Sequence, residues 1–148
     1  AAIVGDEGVD PSRVIFGHSD TVAHDIDLLL DLLGTGVYVQ FDMLGRLGIT
    51  IPWGTSRRAQ MAAASQLRTN TVAEAIPRLI KAGYAERILL SHDVCHKDQF
   101  KRYGGTGYSF VLEKFAPHLR LQGVSDEHIQ MMLVDNPMRV LPLAEPGG

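Results

Sequence analysis

The chain has 148 residues, 45% of them hydrophobic and 21% charged, with a net charge of −3 and a single cysteine. That fits one globular domain and excludes a basic nucleic-acid binder, a polybasic membrane-surface protein and an internal disulfide. No apolar run reaches the length of a bilayer span, and the first residues carry no charged-then-apolar leader, so a cytoplasmic setting without a signal peptide is expected.

Residues 1–13 read as the tail of a helix and a turn, as though from the interior of something longer. Val14-Ile15-Phe16 follows a Pro-Ser turn and ends in Gly17-His18-Ser19-Asp20; being short, β-branched and aromatic, it predicts a buried strand. Val22, Ile26, Leu29, Leu30 and Leu33 then recur at helical spacing, with Asp20 or Thr21 as the expected cap, Asp25 in the first turns and Gly34 or Gly36 as the stop. Val37–Phe41 predicts a second strand, ending in Asp42 and a loop rich in Gly, Pro and Trp. Residues 57–68 are weakly patterned but helical. A clearer helix is expected from Thr71, with Glu74 completing a capping box, Val72, Ile76, Leu79 and Ile80 as its apolar face and Gly83 as its end. Pro77 opposes that helix, since an interior proline costs roughly 3 kcal/mol or forces a kink. The third predicted strand, Arg87–Leu90, ends at Ser91-His92-Asp93. Two helical segments follow. The first carries Tyr108, Val111, Leu112, Phe115 and Leu119 on one face, with Pro117 against it. The second is capped by Ser125 and carries Ile129, Met132 and Leu133.

Apolar strands alternating with helices mean parallel strands covered on both faces, so the fold class is α/β. The pattern fits either a small doubly wound sheet or three units of a (β/α)8 barrel. A whole barrel needs about 250 residues, so this length cannot close one.

In such folds the working residues lie at the carboxyl ends of the strands. Here those ends carry His18 and Asp20, then Asp42, then His92 and Asp93. Imidazole and carboxylate are the usual ligands of Zn, Mn and Fe. Plainer roles stand beside this one. Asp20 reads first as a helix cap, Asp42 equally as an acceptor for loop amides, and His18 as a structural hydrogen-bonder. His24, His118 and His128 fall on predicted helices as solvated residues, and Cys95 reads as a small packed side chain. The pair His92 and His96 mimics a zinc-binding His-x-x-x-His helix. However, it follows a strand directly, and its acid is Asp93 rather than a glutamate, so a strand-to-loop passage is expected instead. Gly104, Gly105 and Gly107 follow no strand and match no phosphate-loop spacing; they read as a flexible loop over an active site.

Four blocks in order carry a resemblance: "VIFGHSDT", "YVQFDMLGR", "KAGYAERILLSHDVCHKDQFKRYGG" with its following "GY", and "LVDNPMRVL". Together they resemble the last part of the phosphotriesterase-like family, metal-dependent (β/α)8 barrels of the amidohydrolase superfamily. The second and third blocks look closer to its phosphotriesterase-related and lactonase-like members. The resemblance covers nearly all of residues 1–148 and implies strands six to eight of a barrel. It also implies a binuclear centre, usually zinc, bridged by hydroxide and a carboxylated lysine. By that pattern His18 ligates one metal, while Asp93 ligates the other and takes up the proton of the bridging water. The expected substrate is a small lactone, carboxylic ester or phosphotriester, with neither nucleic acid nor membrane as partner.

The sequence departs from the pattern in two ways. The family's remaining ligands would precede Ala1, so this chain is expected to be catalytically inactive alone. Organophosphate-specialised members carry histidine where Met43 stands; substrate contact by Met43 or Arg46 is the weaker expectation there. An open edge at strand six invites aggregation or a homodimer. The competing expectation is a non-catalytic half-barrel that binds or self-associates. A flavodoxin-like nucleotide binder fits poorly, since no phosphate loop follows the first strand.

Overall fold

A computed structural model describes residues 5–45 and 57–141, with the side chains of residues 57–68 excepted. Three parallel strands, β1 (Ile15–Phe16), β2 (Tyr38–Phe41) and β3 (Ile88–Leu90), form a sheet in the order β1-β2-β3. The register sets Ile15 opposite Tyr38 and Val39 opposite Ile88. Helix α1 (Ile26–Gly34) joins β1 to β2, and α2 (Arg57–Lys81) precedes β3. The expected α/β order of strands and helices is therefore present.

Side chains alternate across the strands. Val39, Phe41 and Ile88 meet Leu29 and Leu33 of α1 and Val72, Ile76 and Leu79 of α2 in one buried cluster. Each large side chain removed from water there contributes about 1.5–3 kcal/mol. Tyr38 and Leu89, on the other face, are also buried. The residues of β1 are only half-buried, short of the buried strand expected. Among the described residues β1 pairs with β2 alone.

Local signals misplace two helix starts. Asp25, not Asp20 or Thr21, caps α1, its carboxylate accepting from the Leu28 amide at 3.0 Å. Asp20 and Thr21 instead lie in a 3-10 turn, Ser19–Val22. The capping box expected at Thr71 is not a helix start either, because α2 runs unbroken from Arg57 through Thr71 and Pro77 to Lys81. Burial of Val72, Ile76 and Leu79 outweighs the local proline penalty.

The last two helical segments solve the proline problem differently. A π-turn, Val111–Phe115, leads into α3 (Ala116–Leu121). After it, α4 (Asp126–Gln130), capped by Ser125, passes through a second π-turn, Met131–Asp135, into α5 (Asn136–Val140). In each π-turn the amide just before a proline reaches back five residues, Ala116 to Val111 and Asn136 to Met131. The wider turn relieves the carbonyl that the ring of Pro117 or Pro137 would otherwise strike. It also splits the expected apolar face: Val111, Phe115 and Leu119 are buried, whereas Tyr108 and Leu112 are each 63% exposed. Asn136 is fully buried and donates to the carbonyls of Ala85 at 2.9 Å and Ile88 at 2.8 Å, tying α5 to the start of β3.

Candidate active site

The residues after β1, β2 and β3 gather at the carboxyl edge of the sheet. His18 follows β1 in the left-handed conformation, φ 54°. A residue with a Cβ pays for that geometry unless its surroundings fix it. Here Asp42, directly after β2, does so. Its carboxylate accepts from the His18 amide at 3.1 and 3.2 Å and lies 2.8 Å from ring Nδ1. Thr21 Oγ1 donates to the His18 carbonyl at 2.9 Å, and Ser19 Oγ to that of Phe16 at 2.8 Å.

A carboxylate can only accept, so Nδ1 of His18 carries the proton and the lone pair of the neutral ring is on Nε2. The imidazole is 62% exposed while Asp42 is buried. A buried acid holding one nitrogen of an exposed imidazole is the usual support of a metal-binding histidine. Asp42 is held in turn by Asp20, whose Oδ2 accepts from the Asp42 amide at 2.8 Å. Burial pushes the Asp20 carboxyl above its ordinary range, against the backbone hydrogen bonds that favour its charged form. Among the described residues its Oδ1 is buried without a hydrogen-bond partner.

Asp93 follows β3 and is the second residue of this kind. Among the described residues only His18 and Asp93 have positive φ without being glycine, Asp93 at 47°. The loop beyond it is organised by Gln99. Its Oε1 accepts from the amides of Cys95 at 2.8 Å and His96 at 2.6 Å, and its Nε2 donates to the Asp93 carbonyl at 3.2 Å. His92 lies half-buried behind Asp93, its Nε2 accepting from the Val111 amide at 3.1 Å. Burial lowers the His92 pKa, favouring the neutral ring that such acceptance requires.

The strand-end residues are thus brought to one edge of the sheet, with Asp42 between the His18 and Asp93 corners. Asp42 is an acceptor for a loop amide, one of its two expected roles, and it also orients an imidazole. Asp20 is not a helix cap. No helix forms at residues 92–96, as the strand-to-loop expectation required. Cys95 is exposed rather than packed, and its amide donates to Gln99 Oε1. His24 is exposed in the turn before α1, whereas His118 and His128 are half-buried, His128 beside Ser125 Oγ at 3.1 Å. Met43 is buried, and Arg46 lies outside the described residues.

In the glycine-rich loop, Gly105 and Gly107 pack closely on residues 98–101. A Cβ on Gly105 would lie 2.2 Å from the backbone of Gln99, and one on Gly45 would lie 2.4 Å from the Phe110 ring. Thr106 Oγ1 donates to the Gly45 carbonyl at 2.7 Å, joining this loop to the one after β2. Gln99 and Asn136 were not singled out in the sequence. Nothing local distinguishes a polar amide that binds backbone groups from one in solvent.

His18 and Asp93 suit a divalent metal in donor chemistry: an imidazole with its tautomer set by a carboxylate, and a carboxylate. They do not make a complete centre, which needs at least three protein ligands. Among the described residues no group of three or more His, Cys, Asp or Glu side chains could hold an ion.

The phosphotriesterase family matches over residues 1–141. The chain belongs to that family. An N-acetyltaurine hydrolase of Dictyostelium discoideum is 39% identical over 141 residues, which cover 95% of this chain and 36% of the relative. A resiniferatoxin-binding protein from Rhodobacter sphaeroides superposes with a TM-score of 0.78 at 34% identity, over 94% of this chain and 36% of its own. The Escherichia coli phosphotriesterase homology protein, solved with phosphate in its active site, gives 0.73 at 30% identity, over 92% and 41%. The chain therefore spans about two-fifths or less of the length of these family members. Among the described residues no helix is long and apolar enough to cross a membrane.

Proposed function

We propose that the whole protein is a metal-dependent hydrolase in which β1, β2 and β3 are the last three strands of a (β/α)8 barrel. His18 and Asp93 would hold two divalent ions, most simply zinc, with ligands from a preceding part of the barrel. The observation that carries this reading is the His18–Asp42 pair. A buried carboxylate fixes the proton on Nδ1 and directs Nε2 outward from the carboxyl edge of the sheet, the working edge of parallel α/β folds.

When bound, such ions lower the pKa of water and polarise a carbonyl or phosphoryl oxygen. The chain's own residues do the rest. Asp42 keeps the proton on Nδ1 of His18 and holds the ring in place. Asp20 fixes the backbone from which Asp42 acts. Asp93, at the opposite end of the three-strand edge, would bind metal, and its carboxylate would be the group to take up a proton.

The reaction class is hydrolysis of a small acyl or phosphoryl compound. Identity to N-acetyltaurine hydrolases makes an N-acyl amide the first substrate to test, ahead of lactones, carboxylic esters and phosphotriesters. The experiment is turnover of that panel by the full-length natural protein, before and after chelation. Metal-restored hydrolysis of at least one class is expected. Chelator-resistant hydrolysis, or none of any class by a metal-loaded protein, contradicts the reading. The 148-residue chain alone is expected to be inactive, because it supplies too few ligands.

A further inference from the structure

We infer that Gln99 is a positioning residue for Asp93, its carboxamide fixing the left-handed turn on which that carboxylate stands and Gly105 fixing where Gln99 itself sits. The inference rests on the metal-site reading above and deepens it.

A carboxamide combines acceptor and donor in one plane, and the loop uses both. Oε1 takes the consecutive amides of Cys95 and His96, while Nε2 reaches back to the Asp93 carbonyl. Two successive amides can converge on one oxygen only where the chain curls around it. The same curl begins at Asp93 with a positive φ. Three backbone groups of the four residues 93–96 are therefore tied to one side chain.

That side chain is useful as an anchor only if its own backbone is placed, and three contacts place it. The Gly105 backbone packs so closely on Gln99 that a Cβ would lie 2.2 Å from both its carbonyl carbon and its oxygen, and 2.5 Å from the Asp98 oxygen. The Gly107 amide donates to the Gln99 carbonyl at 2.8 Å, and the Gly105 amide to that of Phe100 at 3.0 Å. Thr106, between the two glycines, ties the assembly to the Gly45 carbonyl beyond β2. The glycine-rich segment is thus a seat for Gln99, and Gln99 a brace for Asp93. Glutamate could still accept the two amides but would set a charge against the Asp93 carbonyl. Leucine would do neither.

The test uses the full-length natural protein with Gln99→Leu, Gln99→Glu and Asp93→Ala. Amide exchange at Cys95 and His96, followed in metal-stripped protein, should rise about tenfold or more in Gln99→Leu and much less in Gln99→Glu. Metal affinity should fall roughly 10–100-fold in Gln99→Leu, in the range seen when a supporting contact is lost. Gln99→Glu should recover part of it, and kcat should fall more than KM rises. Wild-type affinity in a folded Gln99→Leu, beside lost metal in Asp93→Ala, overturns the role of Gln99. Unchanged exchange at Cys95 and His96 in Gln99→Leu overturns it as well. Full metal retention in Asp93→Ala instead overturns the metal-site reading beneath it.

Discussion

His18 and Asp93 share a backbone conformation but are held in it by different means. The His18 corner is long-range: its brace, Asp42, is 24 residues away and arrives only when β2 pairs with β1. The Asp93 corner is local: its brace, Gln99, is six residues on, and the glycines that seat Gln99 lie within the same loop. The first geometry is therefore as secure as the sheet, and damaging it without touching Asp42 or Asp20 means damaging the core. The second can fail alone, with the sheet intact. A site divided in this way joins a fixed corner to one that a loop substitution can retune.

Four substitutions probe that division. Gly105→Ala should have the largest effect, because the added methyl meets backbone and not a flexible side-chain end; overpacking of this kind costs roughly 1–3 kcal/mol, and the upper part of that range is expected. Its signature should be loss of order confined to residues 93–107, read by amide exchange. Asn136→Leu is the counterpart in the scaffold. It strands the buried Ala85 and Ile88 carbonyls, so denaturant titration should show a loss of about 2 kcal/mol, with metal affinity unchanged once the protein is folded.

Asp42→Asn comes next. It preserves shape but weakens the hold on Nδ1, so a stability loss near 1 kcal/mol is expected together with a roughly 10–100-fold loss of metal affinity. Isothermal titration of stripped protein checks the second part. Glu113→Gln should do least. The Lys101 ammonium holds the Glu113 carboxyl below its ordinary range, at 2.7 and 2.8 Å, but both groups are exposed. A depressed carboxylate pKa stabilises the fold above the unfolded-state value and loses that contribution as pH falls through the folded-state value. The small melting difference between wild type and variant should thus be present at neutral pH, shrink with salt, and vanish in acid.

The sequence made some of this arrangement legible and hid the rest for physical reasons. Strand positions followed from apolar runs that end in His18, Asp42 and Asp93, because burial against helices demands such runs. The motif also named both candidate ligands. Helix boundaries were less legible, since caps compete. Asp20 and Thr21 are good caps by type, yet Asp20 was recruited to hold the Asp42 amide, leaving Asp25 to cap. Pro77 and Pro117 are read locally as breaks. Core burial in α2 and a π-turn later in the chain override them. The supporting residues were hardest to see. Gln99, Asn136 and Gly105 act through backbone groups that no side-chain pattern reveals, and the glycine run gave no sign that Gly105 is needed for a close backbone approach.

The most direct measurement is the metal content of the full-length natural protein beside His18→Ala and Asp93→Ala, each first shown to be folded. About two divalent ions per chain are expected in the wild type, as in a two-metal hydrolase site, with clear loss in each variant. Full metal occupancy in both folded variants would contradict the assignment of His18 and Asp93 as ligands.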